Sequence, residues 1–186
     1  HDDGLVAYAD FCAAEKVYFT RADEPGTSIT GELSLGCWCW FDAPSTDAEA
    51  GLISKWYTTG NKRSYVLYKN SDNDFVFSIS SDGTAVTTID DAAANYDDGE
   101  WFFVAGVFDP ESNLSLFVNG TWYSNVTSIP ASIYDSDEAL NFGRYNRSNY
   151  IDGRMCQVFL CAYALPRRYV EALYAHSKAM FKARGT

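Results

Sequence analysis

Short apolar runs recur along the whole chain, separated by clusters of Asp, Asn, Ser and Gly. This rhythm is typical of antiparallel strands joined by tight turns, and it predicts a β-sandwich or barrel. The clearest turn is Asn119-Gly120, because Asn-Gly is the strongest two-residue signal for a hairpin. The predicted strands are 16–19, 33–41, 51–55, 64–68, 75–80, 101–108, 114–118, 140–143 and 155–161.

The C-terminal segment has a different pattern, with Pro166 at a position that suits the start of a helix. Apolar residues then recur at helical spacing, interrupted by the small polar Ser177, and predict one amphipathic helix of about four turns. These residues are Val170, Leu173, Tyr174, Met180 and Phe181. The chain is therefore divided into a sandwich, 1–165, and a helix with a basic tail, 166–186.

The charge of the chain excludes some partners. With 25 acidic and 14 basic residues the net charge is -11, which disfavours nucleic acid and anionic membranes as partners. No apolar run approaches the ~18 residues that a membrane span needs, so no membrane insertion is expected. The segment from Arg167 onward carries +4 and the rest -15. This asymmetry favours docking of the tail on a neighbour, and hence self-assembly, or folding of the tail onto its own sheet.

The chain opens with His1-Asp2-Asp3-Gly4 and has neither an initiator Met nor a signal-peptide pattern. We therefore expect a processed chain or part of a longer one.

The stretch Gly36-Cys37-Trp38-Cys39-Trp40-Phe41 alternates two sulfurs with two indoles. On a strand, the cysteines point to one face and the tryptophans to the other. The five cysteines form no metal-ligand spacing, and their odd number leaves at least one unpaired within the chain. Cys37 and Cys39 are interpreted first as buried apolar side chains, and a bridge to Cys156 or Cys161 is the alternative.

Six segments in order resemble the laminin G-like domain of the concanavalin A-like superfamily, over residues 8 to 174. Leu116-Phe117-Val118-Asn119-Gly120 matches the family pattern Leu-Tyr-Val-Asn-Gly, and the start of 99–109 matches Gly-x-Trp-Tyr-His-Val-Ala. The other matching segments are 33–39, 52–56, 142–144 and 152–165.

The resemblance implies an all-β fold, an antiparallel jelly-roll β-sandwich of two sheets, and the periodicity adds the C-terminal amphipathic helix. It turns Cys37 and Cys39 toward the gap between the sheets and assigns Trp38 a structural role under a loop or the terminal helix. Trp40 stands where relatives usually carry a polar residue. Its exposure therefore decides whether it can contact a ligand.

Calcium is held in some members of the family by loop carboxylates and carbonyls. Two of the matched positions lack the family's acids here, at Asp10-Phe11-Cys12 and at Met155-Cys156-Gln157. No cofactor is therefore expected, and calcium is the alternative, with Asp10 and Asp152 as its candidate ligands.

Catalysis is not expected from this sequence. Glycosidases of related fold need two carboxylates about 5 to 10 Å apart, carried on one strand as Glu-x-Asp-x-Glu. No such run occurs, and the acidic residues cluster in turns such as Asp72 and Asp74. His176 has no evident catalytic partner. We predict that the chain is not an enzyme.

Exposed aromatic rings with polar neighbours can bind sugars, because the C–H faces of sugar rings stack on them. The segment 144–150 is the most site-like stretch, since it is aromatic, polar and basic within an acidic protein. Packing at the rim of the fold is an equally good reading of these residues, and Trp101 is predicted to be core. The candidate ligand contacts are Trp40, Trp56, Arg63, Tyr65, Arg144, Tyr145, Asn149 and Tyr150.

Four Asn-x-Ser/Thr sequons predict glycosylation if the chain passes through a secretory pathway. They begin at Asn113, Asn119, Asn125 and Asn146.

The sequence thus favours an extracellular or particle-surface module for adhesion and carbohydrate binding. The alternative is a structural subunit or decoration protein that assembles through protein contacts in a filament, virion or cell-surface layer without binding glycans.

Overall fold

The computed structural model describes residues 8–42, 49–92, 96 and 99–181. These residues form two six-stranded antiparallel sheets and one short helix, which confirms the predicted sandwich. The elements are β1 (Ala9–Phe11), β2 (Phe19–Arg21), β3 (Leu33–Phe41), β4 (Ala50–Tyr57), β5 (Lys62–Lys69), β6 (Phe75–Ser80), β7 (Val86–Asp90), β8 (Trp101–Asp109), β9 (Asn113–Val118), β10 (Thr121–Asn125), β11 (Leu140–Phe142), β12 (Arg144–Tyr145), β13 (Asn149–Tyr150), β14 (Gly153–Cys161) and α1 (Arg167–Ser177), followed by a 3₁₀ turn at Lys178–Met180.

The strand order separates the chain into two layers. Sheet I has the order β1-β14-β3-β8-β9-β10, and sheet II has the order β2-β11-β4-β5-β6-β7. Strands β12 and β13 form a separate two-stranded hairpin. The long strands β3 and β8 lie in the middle of sheet I and pair along almost their whole length.

The main core lies between the sheets and takes alternate residues of β3. Leu33, Leu35, Cys37, Cys39 and Phe41 are all buried there, as the alternation predicts. All five cysteines are free thiols, so the alternative of a bridge to Cys156 or Cys161 is not what the structure contains. Burial raises the pKa of the Cys39 thiol well above its usual range, which keeps this thiol neutral in the core.

A second cluster of buried side chains lies on the outer face of sheet I, under α1. Trp38 stacks on Phe181 with ring centroids 4.1 Å apart and also stacks on Tyr174. Its indole N–H donates to the Ser177 hydroxyl at 2.9 Å, and that hydroxyl donates to the Leu173 carbonyl at 2.6 Å. The terminal helix thus folds onto its own sheet, and Ser177 is its polar contact with Trp38.

The helix differs from its prediction in length and in coverage. It has 11 residues, or about three turns, before the 3₁₀ turn. Val170 and Phe181 are buried, but Leu173 and Met180 are 45% and 51% exposed, so only part of the apolar stripe faces the sheet. No helix among the described residues is long and apolar enough to span a membrane.

Several strands lie elsewhere than predicted. The segment predicted as strand 16–19 contains a turn, because Lys16 adopts a positive φ of 56°, and the strand begins at Phe19. The segment 144–150, predicted as a loop, contains β12 and β13. The short strands β1 and β7 have no strong alternation. Strand β1 is defined by its pairing with the distant β14, and β7 by its pairing with the preceding strand β6.

The contact between Trp38 and the end of the helix should hold α1 on the sheet. We expect Phe181→Ala to lower the free energy of unfolding by about 3 kcal/mol, because it removes a buried ring and leaves a cavity beside Trp38. Met180→Ala, one residue away and exposed, should change it by less than ~0.5 kcal/mol. Urea denaturation followed by tryptophan fluorescence measures both. Equal losses in the two variants would contradict this role of Phe181.

Candidate functional site

A row of four side chains crosses one end of the outer face of sheet I. Asp10 on β1 lies opposite Arg154 on β14, Arg154 lies opposite Trp40 on β3, and Trp40 lies opposite Trp101 on β8. Directly opposed residues of neighbouring strands share a face, so the four side chains are neighbours. We call this set the Trp40 row.

Polar contacts fix the orientation of the Trp40 row. Arg154 pairs with Asp10 at 3.2 Å and with Asp42 at 3.1 Å. The Trp40 indole N–H donates to the same Asp42 carboxylate at 2.9 Å. The Arg154 guanidinium lies 5.5 Å from the Trp40 ring centroid, within cation–π range. The indole is therefore held at its polar edge, and its orientation does not depend on a ligand.

The terminal helix does not cover Trp40, which is half-buried. The ring of Trp101 lies 5.8 Å away at an interplanar angle of 59° and is also half-buried, although the sequence predicts a core residue at this position. Phe181 packs against Trp101, with centroids 5.0 Å apart, at the point where helical coverage of the sheet ends. On the other side Tyr8 is 49% exposed and lies 6.2 Å from Trp101. Three partly exposed aromatic rings thus adjoin at this end of the sheet.

A pocket of about 320 Å³ adjoins the row at Trp101. The exposed Lys178 and the Asn119 side chain lie at this pocket, and the Asn119 side-chain carbonyl accepts a bond from the Phe103 backbone N–H at 2.8 Å. Its lining residues are Trp38, Trp101, Asn119, Tyr174, Lys178 and Phe181. The pocket combines aromatic walls with hydrogen-bond donors, a composition that suits a small polar ligand.

The segment 144–150, predicted as the most site-like stretch, folds onto the outer face of sheet II. Tyr145 stacks on Tyr68 with centroids 4.9 Å apart and forms a buried cluster with Trp56 and Val66. Trp56 and Tyr145 are only 4% and 8% exposed. Neither side chain is available to a ligand, because the hairpin itself covers this aromatic cluster.

The basic residues of the hairpin are also engaged within the chain. Arg144 lies over the Tyr18 ring at 3.8 Å, and Arg147 lies over the Tyr57 ring at 4.1 Å. Arg147 also forms an ion pair with the buried Glu138 at 2.6 Å. These two cations pack directly against the rings, closer than Arg154 lies to Trp40, so the basic residues of the hairpin are used in contacts within the chain. The hairpin is therefore a rim-packing element, which is the alternative reading of its sequence.

The remaining candidates have structural partners as well. Tyr65 is fully buried and donates to the Thr27 carbonyl at 3.0 Å, so it cannot contact a ligand. Arg63 donates to two loop carbonyls, those of Gly83 and Thr84, both at 3.2 Å. Asn149 donates to Glu49 at 2.8 Å. Tyr150 is 8% exposed. Among the aromatic residues of the eight predicted contacts, Trp40 is the one that is not buried.

The two candidate calcium ligands have other partners within the chain. Asp10 pairs with Arg154, and the Asp152 carboxylate accepts a bond from the Ala13 backbone N–H at 3.4 Å. Among the described residues no group of three or more His, Cys, Asp or Glu side chains is placed to hold a metal ion. Calcium needs six or more converging oxygen ligands.

The four sequon asparagines differ in exposure. Asn119 is exposed in the turn between β9 and β10, whereas Asn113, Asn125 and Asn146 are half-buried. The side-chain carbonyl of Asn125 accepts a bond from Thr127 N–H, and that of Asn146 accepts bonds from Thr58 N–H and Oγ1, all at 2.9 Å. Asn119 is thus the most accessible of the four.

Comparison with known proteins gives a family and a fold. A family model described as the concanavalin A-like lectin/glucanases superfamily matches residues 17–170, which is most of the chain. No curated protein matches the sequence.

The binding domain of botulinum neurotoxin serotype G has a similar structure, with a TM-score of 0.70 at 14% identity over 89% of this chain and 41% of that one. The binding domain of paraclostridial mosquitocidal protein 1 gives 0.68 at 12% identity, over 90% and 45%. The binding domain of botulinum neurotoxin DC, in complex with rat synaptotagmin II, gives 0.61 at 16% identity, over 86% and 40%. The chain spans less than half of these longer chains, and at these identities the likeness shows the fold alone.

Proposed function

Because the chain belongs to the laminin G-like family of the concanavalin A-like lectin/glucanase superfamily, we propose that it is a non-catalytic binding module that recognises a glycan through the Trp40 row. The observation that carries this proposal is the partial exposure of Trp40 and Trp101 beside the aromatic pocket. An indole already fixed by Asp42 loses little conformational entropy when a sugar ring stacks on it.

The chemistry of this surface suits a sugar better than an apolar partner. The rings offer stacking area, while Lys178 and Asn119 offer hydrogen-bond donors at the edge of the pocket. At the other end, Arg154 pairs with Asp10 and Asp42, so polar groups border the rings there as well. The surface thus pairs apolar ring faces with polar edges, as sugar rings do.

The fold neighbours support binding as the general activity, since each is described as a binding domain and one is in complex with a protein receptor. We propose adhesion at an extracellular or particle surface as the setting. Non-catalytic action is part of the same proposal and is supported by the lack of paired strand carboxylates in the sequence.

A glycan array tests the proposal. We expect the full chain to bind at least one glycan class, and Trp40→Ala to lower its affinity at least about tenfold, because the stacking platform is removed. Tyr163→Ala serves as the control, since Tyr163 is an exposed aromatic residue, 54% exposed, that lies outside the Trp40 row and its pocket. The glycan affinity of the Tyr163→Ala variant should equal that of the unchanged chain.

The array is read in calcium and again in a chelator, to test calcium dependence separately. Silence across the array in both buffers would reject glycan binding. Equal binding by the Trp40→Ala variant would reject the Trp40 row as the site.

Self-assembly is the second candidate function, and a groove between α1 and β14 favours it. The groove has a volume of about 470 Å³ and is lined in part by Tyr169, Leu173 and Met180, which are 52%, 45% and 51% exposed. We propose a second copy of the chain as its occupant. The segment from Arg167 onward is basic and the rest of the chain is acidic, so two copies offer complementary surfaces.

Sedimentation velocity over a range of concentrations tests the assembly. We expect the full chain to form a dimer or larger species, and Leu173→Glu to shift it toward monomer because a charge enters the apolar groove. Ala175→Glu adds the same charge to an exposed position of α1 outside the groove and should leave the assembly unchanged. A chain that remains monomeric at all concentrations would reject this function.

A further inference from the structure

The outer face of sheet I has a second open end, opposite the Trp40 row. Strand β8 runs from Trp101 to Asp109, so Asp109 lies at the far end of the sheet. A pocket of about 310 Å³ lies there, between the start of α1 and strands β8 to β10. We call it the Trp122 pocket, after the aromatic residue in its lining.

Trp122 is held in place by three contacts. Its indole N–H donates to Glu171 at 2.9 Å, and its ring packs on Phe117 with centroids 5.0 Å apart. The Arg167 guanidinium lies 5.0 Å from the ring centroid. The side chain is half-buried, so part of its ring remains exposed.

Hydrogen-bond donors and acceptors both surround the Trp122 ring. The Asn113 side-chain carbonyl accepts a bond from Ser115 at 2.7 Å, and the Asn113 amide is left to donate toward the pocket or to the neighbouring Ser112 at 3.3 Å. Arg167 donates one bond to Ser124 at 2.9 Å and has further N–H groups. Asp109 is half-buried, and its carboxylate has no hydrogen-bond or ion-pair partner among the described residues. The pocket therefore offers an acceptor, two kinds of donor and a ring.

We propose that the Trp122 pocket binds a neutral sugar, as a site distinct from the Trp40 row. Each sugar hydroxyl both donates and accepts, so neighbouring hydroxyls can donate to Asp109 and accept from Asn113 or Arg167 while the ring stacks on Trp122. An anionic ligand is disfavoured by the Asp109 carboxylate and a cationic one by Arg167. The volume lies at the lower end of the range for small-molecule pockets, which suits one monosaccharide unit.

Two-dimensional NMR of the tryptophan indole N–H groups tests this proposal. The chain has five tryptophans, and each contributes one indole N–H group. The probes are glucose, galactose, mannose and N-acetylglucosamine, each titrated into the full chain made without glycosylation, because Asn113 heads a sequon and a glycan there would fill the pocket. N-acetylneuraminic acid is the anionic comparison.

We expect at least one neutral sugar to shift the Trp122 signal in a saturable way, with or without a shift at Trp40. Asp109→Asn should weaken this binding about tenfold, since a charged acceptor is lost. Glu111→Gln removes the same charge from an exposed position in the adjacent turn and should leave the affinity unchanged.

The Trp40→Ala variant should retain the Trp122 response, which separates this proposal from glycan binding at the Trp40 row. A Trp122 signal that no neutral sugar moves would overturn the proposal, as would equal affinity for N-acetylneuraminic acid. Unchanged affinity in Asp109→Asn would overturn it as well.

Discussion

The contact between α1 and Trp38 decides which parts of the outer face of sheet I are accessible. The indole N–H of Trp38 bonds to Ser177, and its ring stacks on Phe181 and Tyr174. These contacts place the helix along the middle of the sheet, from the Trp122 pocket at its start to Trp101 at its end. Both candidate binding surfaces are the ends that the helix leaves open.

Sheet II shows the opposite arrangement, since its outer aromatic residues are enclosed by the chain itself. The hairpin β12–β13 stacks Tyr145 on Tyr68 over Trp56, and charged contacts hold the adjoining end of the sheet. There, the fully buried Lys55 ammonium donates to Asp23 at 2.6 Å and to the Glu138 carbonyl at 2.7 Å. Asp23 itself is partly exposed, but its removal would be costly because it would leave the buried Lys55 charge without its carboxylate partner. The aromatic residues on the outer face of sheet II thus stabilise the fold. For this reason both proposed binding sites lie on sheet I.

The sequence predicts the sandwich and the two faces of β3, because alternation and turn chemistry are local properties. It does not predict that Trp101 is half-exposed or that Trp56 is covered. The exposure of Trp101 depends on which strand lies opposite it. The burial of Trp56 depends on the β12–β13 hairpin, which lies almost 90 residues further along the chain and folds back onto sheet II. Ser177 illustrates the same limit, since it reads as an interruption of an apolar stripe until its bond to Trp38 is seen. The Trp40 row could have been predicted only from the strand register, which places Trp40 opposite Trp101 on one side and opposite Arg154 on the other.

The central claim is that α1 covers Trp38 and leaves Trp40 open, although the two indoles lie on the same face of one strand. Hydrogen exchange of the individual indole N–H groups, followed by NMR in the full chain, measures this most directly. The account predicts slow exchange for Trp38, whose N–H is buried against Ser177, and much faster exchange for Trp40, whose partner Asp42 is exposed. Equally slow exchange at both indoles, or faster exchange at Trp38, would contradict it.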